Sequence, residues 1–152
     1  MTKSKSRKNS RRSKRRTIKH ISFEPFEKRI TTIFFETLLM IKLYHWKTYS
    51  YASHKATDEL YGKLNEHMDK FMEVLLGKDV PNRMHFASGS KISLIDLSTK
   101  EELVSKIEGF KSYLVGLSDE LEDTKMTNTD LLNIRDEILG DMNQFLYLLS
   151  LK

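Results

Sequence analysis

The sequence predicts an all-α fold, a four-helix bundle with one long crossover between its second and third helices. Three observations predict it. Two prolines and six glycines are spread over 152 residues, too few breakers for a turn-rich β fold. Apolar residues recur at three- and four-residue spacing in four long stretches, the period of a helix with one buried face. Two of the connections between them are short and one is about twenty residues long, which a simple up-down bundle does not need. A chain of 152 residues reads as one domain large enough for a real core.

The formal net charge of +5 hides two unlike regions. Residues 1–20 carry five Lys and five Arg and no acid, which leaves sixteen basic and twenty-one acidic residues elsewhere. We therefore divide the chain into a disordered basic arm, residues 1–21, and a helical body, residues 22–152. In the arm, serines separate Lys3, Lys5, Arg7, Lys8, Arg11, Arg12, Lys14, Arg15, Arg16 and Lys19. Such a block buries nothing and stays disordered until it meets a polyanion. DNA is the first partner it suits and RNA the second. No aromatic residue interleaves the charges, so binding is expected to ignore base sequence. The same composition also suits a nuclear or nucleolar address or a solubilising tail. Phosphorylation of the arm's serines would cancel charge and loosen DNA. The absence of cysteine excludes a disulfide framework and thiolate metal sites. No apolar run reaches the ~18 residues that span a membrane, and no secretory stretch opens the chain. The expected location is cytoplasmic or associated with a nucleoid or nucleus.

The first helix is expected over about 22–48, with Ser22 as N-cap and Pro25 and Glu27 in its first turn. Ile30, Ile33, Phe34, Thr37, Leu38, Ile41, Tyr44 and His45 form its apolar stripe, and Trp46 follows. Residues 49–53 make a short connection, so the first two helices are antiparallel neighbours. Ser53 or Thr48 is the expected cap of the second helix. Its core face uses Leu60, Leu64, Phe71, Val74 and Leu75, and Gly77 ends it as the residue after the last turn. Residues 78–97 form the crossover, in which Ile92, Leu94, Ile95 and Leu97 read as a short helix or an extended packed segment. Ser98 and Glu101 read as a capping box that starts the third helix. Leu103, Ile107, Phe110, Leu114, Leu117 and Leu121 mark its buried face. Gly109 and Gly116 weaken it by about 1 kcal/mol each, which suggests close contact with another helix or subunit. The fourth helix begins near 128–129 and buries Leu131, Ile134, Ile138, Met142, Phe145, Leu148 and Leu149.

The second helix carries the candidate chemistry. His54 and Asp58 are four residues apart, and so are Asp69 and Glu73, which puts the members of each pair on one face. From Asp58 to Asp69 is close to three whole turns, so all four share one stripe. The two pairs are centred roughly 22 Å apart at 1.5 Å per residue, too far for one metal within one chain. Two copies packed antiparallel about a two-fold axis would bring them together. That axis falls beside Gly62, where a missing side chain lets backbones approach. One imidazole and three carboxylates suit Fe(II) or a similar divalent ion. The bland alternative is a solvated helix face. Glu-x-x-His occurs nowhere, and the last two helices hold no histidine, so the usual di-iron site inside a bundle cannot form.

His45-Trp46, His54-x3-Asp58 and Glu66-His67-x-Asp69-x3-Glu73 together resemble the signature of the Dps mini-ferritins over residues of about 28 to 151. The connection from His45 to His54 is shorter than is usual there and lacks its Gly-Pro. The resemblance implies a ferritin-like bundle and a ferroxidase centre between two subunits. It implies iron ligands at His45, His54, Asp58, Asp69 and Glu73, with Trp46 and His67 beside them, and one or two iron ions. It implies oxidation of Fe(II) by peroxide or oxygen, mineral stored in a dodecameric shell, and protection of bound DNA. A second, vaguer likeness, to short Dps-like proteins of large DNA viruses, adds packaging in a virion as a possible location. The alternative on the same residues is a redox-inactive nucleoprotein component that condenses DNA. A four-helix adaptor with a targeting tail is a third reading.

Overall fold

The computed structural model describes residues 24–78, 83–122 and 127–151. The basic arm, Ser22 and residues 123–126 lie outside these described residues. Four helices are present: α1, Glu24–Lys47; α2, Tyr51–Gly77; α3, Lys100–Glu122; and α4, Thr129–Ser150. No strand occurs among the described residues.

The helices form where the apolar period places them. Ile30, Phe34, Leu38, Ile41 and Tyr44 of α1 are buried. So are Leu60, Leu64, Met68, Phe71 and Leu75 of α2, and the whole expected stripe of α3. At the centre, the Phe34 ring meets Phe71 of α2 edge-on at 5.5 Å and Phe110 of α3 edge-on at 6.3 Å. In each pair the positive edge of one ring meets the negative face of the other, so three helices are keyed to one side chain. On α4, Leu131, Ile134, Ile138, Met142, Phe145 and Leu149 close the core. Leu148, expected inside, is 38% exposed. It sits in the last turn of α4, where the bundle ends and nothing further covers it.

Every neighbouring pair of helices is antiparallel. Helix α2 packs mainly against α4 and α1, while α3 packs against α4 and more lightly against α1. Arg29 near the start of α1 pairs with Glu120 near the end of α3. Lys63 reaches Gln144 at 2.7 Å, and Lys78 reaches Asp130 at 2.9 Å. Helices α2 and α3 therefore run parallel on one diagonal, and the connection between them must travel the length of the bundle. Its described part does so beside α1. Ser93 N–H donates to Glu36, and Lys47 at the top of α1 pairs with Asp96. Of the two expected forms of this segment, the extended one is found. Ile95 and Leu97 turn inward while Ile92 and Leu94 stay exposed, the two-residue alternation of an extended chain. Gly89 takes φ +80°, and Ser90 N–H donates to Ala87 O at 3.0 Å, a turn that favours glycine.

The helix ends differ from the expected ones in register. Ser50 caps α2, accepting from Ser53 N–H at 3.2 Å; Thr48 instead accepts from Ser50 N–H. The capping box of α3 is Thr99 with Glu102. Glu102 N–H donates to Thr99 Oγ1 at 3.2 Å, while the Glu102 carboxylate accepts from Ser98 and Thr99 N–H. Gly77 is the last residue of α2 and not a left-handed stop. Lys78 follows in right-handed helical conformation, with its N–H on Leu75 O. A Cβ on Gly109 or Gly116 would meet nothing within 4 Å, so close packing within the chain does not explain either glycine. Asn128 reaches back to Leu121 O at 2.8 Å. Buried Arg135 donates to Leu114 O and to the Ser118 hydroxyl, tying α4 to the second half of α3.

Candidate metal centre

The α1–α2 corner is built by two histidines that hold each other. The His45 and His54 rings stack with centroids 3.9 Å apart and planes at 23°. His45 Nδ1 lies 3.0 Å from His54 O, and His54 Nδ1 lies 3.0 Å from His45 O. A carbonyl oxygen only accepts, so each Nδ1 carries the proton. In the neutral ring this fixes the tautomer and leaves the lone pair on Nε2, the arrangement in which an imidazole ligates a metal. His45 O belongs to the last turn of α1, where carbonyls lack helical partners, so the contact also finishes the helix. Thr57, fully buried, donates to Ser53 O at 2.7 Å and places its oxygen 3.3 Å from His45 Nδ1.

Asp58 completes the front of the stripe. Its Oδ1 lies 3.8 Å from His45 Nε2, and the side chain is 54% exposed. Lys42 Nζ lies 3.6 Å from the same oxygen and 4.6 Å from the centre of the Tyr61 ring. The short connection thus brings His45, His54 and Asp58 together. Asp69 and Glu73 are exposed on the same outer side of α2, more than two turns further along. Neither pairs with another described residue. No group of three His, Cys, Asp or Glu side chains in position to hold a metal exists among the described residues of one chain. Between the halves, Gly62 is exposed, and a Cβ there would meet nothing within 4 Å.

Trp46 is 68% exposed beside this corner, with Tyr49 and Tyr51 also exposed. His67 turns toward α4. Its Nδ1 lies 2.8 Å from Asp141 Oδ2, and its Nε2 lies 3.9 Å from Glu137. Within one chain it belongs to the α2–α4 seam with Lys63 and Lys70, not to the stripe. The ten basic arm residues, Lys3 to Lys19, lie outside the described residues. Sequence reasoning missed Lys42 and Thr57. Both carried a faint signal: Lys42 is one turn before His45, and Thr57 one turn after His54.

The donors at the front fit a divalent cation in type, two imidazoles with bare Nε2 atoms and one accessible carboxylate. They are too few to enclose it. No helix of the described residues is long and apolar enough to cross a membrane. No curated protein and no solved structure matches this chain. One family model does, over residues 45–149, starting at the clasped histidine and running nearly to the end of α4. The chain belongs to that family, which is described as a family of unknown function, DUF5856.

Proposed function

We propose that this chain is a Dps-like mini-ferritin. It self-associates across α2, oxidises Fe(II) between subunits and holds DNA on its basic N-terminal arm. The observation that carries this reading is the unequal stripe on α2. Its front has imidazoles set in the ligating tautomer, while its rear carboxylates stand exposed on the same side. An isologous contact centred near Gly62 supplies each front with the rear of the other copy, giving two identical sites. His45, His54 and Asp58 of one copy then face Asp69 and Glu73 of the second. The carboxylates offset the charge of the ion, and the imidazoles give direction. Fe(II) is the substrate, and oxygen or peroxide takes its electron. The connectivity supports the reading, since one long crossover between parallel helices is the ferritin-like arrangement.

The arm supplies the DNA affinity. If most of its ten charges reach phosphates, log K falls with log[salt] at a slope on the order of −9 per arm. A shell of twelve copies, which the likeness to Dps proteins implies, would raise the effective concentration of every other arm once one is bound.

The second reading, a redox-inactive DNA-condensing protein of the same fold, is favoured by the incomplete ligand set of the single chain. Anaerobically loaded Fe(II), exposed to peroxide, separates the two. Wild type is expected to oxidise it well above the buffer rate and Asp69→Ala at the buffer rate. Oxidation at the buffer rate by both overturns the ferroxidase reading. Removal of residues 1–20 is expected to abolish DNA retention in a gel shift while leaving assembly intact. Retention by the truncated body would overturn the role of the arm.

A further inference from the structure

The geometry points to Lys42 as the resident counter-ion of the candidate centre, a charge that an incoming divalent cation must displace. The inference rests on the metal reading above and adds how occupancy is controlled. Lys42 Nζ and His45 Nε2 converge on one atom, Asp58 Oδ1, at 3.6 and 3.8 Å. A cation bridging His45 and Asp58 must enter beside that ammonium. A dication and an ammonium about 5 Å apart repel noticeably even at the dielectric of water. The lysine is not loose: its side chain is 27% exposed, so its stem lies against the protein.

Lys42 is also held from a second side. Its Nζ is 4.6 Å from the centre of the Tyr61 ring, a cation–π seat. Tyr61 follows Asp58 by one helical turn, so the ring face and the carboxylate hold the ammonium together. Asp58 is thereby neutralised in the metal-free chain, and the front half alone is a poor cation site. Asp69 and Glu73 of a second copy add the negative charge that outweighs the ammonium. Lys42 thus ties metal occupancy to assembly and keeps a lone chain from collecting ions.

Co2+, which is redox-stable and accepts nitrogen and oxygen ligands, is the probe, titrated by calorimetry into the full chain. Lys42→Met keeps the stem and removes the charge. It is expected to bind Co2+ about tenfold more tightly than wild type, while Lys42→Arg binds as wild type does. In an Asp69→Ala, Glu73→Ala background, which leaves only the front half, adding Lys42→Met is expected to restore measurable binding. Thermal melts of each variant establish that all are folded. Equal or weaker affinity in Lys42→Met, or a gain in Lys42→Arg as well, overturns the role of the ammonium and leaves the centre standing. No Co2+ binding by wild type or by any variant overturns both.

Discussion

At the front of α2, His54 and Asp58 are worked into their own chain. His54 is clasped to His45, Thr57 braces the clasp, and Lys42 sits on Asp58. At the rear, Asp69 and Glu73 occupy the same exposed side of the same helix and pair with no described residue. Across the seam between α2 and α4, by contrast, Lys63, His67, Lys70 and Lys78 each meet a carboxylate. On the proposed reading, the unpaired Asp69 and Glu73, in line with the clasped imidazoles, are the half of a site that a second copy completes. The contrast teaches that a helix face can be structural at one end and open at the other.

The contrast can be broken from the front with the largest effect. His45→Ala removes a buried ring and its hydrogen bond to His54 O. It is expected to cost about 1–3 kcal/mol of folding stability as well as metal binding. Asp69→Ala should remove metal binding while changing stability by less than about 0.5 kcal/mol. Chemical denaturation of the two variants decides the matter, and equal losses would erase the difference between the ends.

Gly62→Leu sharpens it at the midpoint. The glycine touches nothing in its own chain, so leucine should stabilise the isolated helix by about 0.8 kcal/mol. The same side chain would hold two backbones apart. A raised denaturation midpoint together with weaker self-association in light scattering is the expected pair of results. Unchanged association would move the two-fold contact elsewhere.

The smallest effect comes from a carboxylate that its own chain already uses. Hydrogen bonds from Ser98 and Thr99 N–H hold the Glu102 carboxyl below its ordinary range. A depressed folded value gives stability that is present above the ordinary carboxylate range and is lost as pH falls through the folded value. Wild type should therefore melt slightly above Glu102→Gln near neutral pH, and the gap should close on acidification. A gap that persists in acid would mean that the charge of Glu102 is not what caps α3.

Much of the fold was legible because burial imposes the helical period directly on the residue string. Ile30, Phe34, Ile41, Leu64, Phe71, Leu103 and Ile138 all lie where that period puts them. Cap register was not legible. Ser98-Thr99 and Glu101-Glu102 each satisfy the capping-box spacing, and only the path of the crossover selects Thr99 with Glu102. Ser50 was likewise one of several hydroxyls at the corner. The His54–Asp58 and Asp69–Glu73 stripe could be read from spacing alone. The reciprocal clasp could not, because it joins side chain to backbone across a turn. Nor could the convergence of Lys42 and His45 on one oxygen, which depends on how α1 and α2 sit together.

The most direct test of the shared site mixes two damaged chains. One carries His54→Ala and Asp58→Ala, losing the front; the other carries Asp69→Ala and Glu73→Ala, losing the rear. Each alone should oxidise Fe(II) no faster than buffer. Co-refolded in equal amounts, they should regain about a quarter of wild-type activity, the statistical share of intact sites in randomly paired two-fold dimers. A mixture that associates and stays silent, or either damaged chain active by itself, would contradict a centre built from the front of one copy and the rear of another.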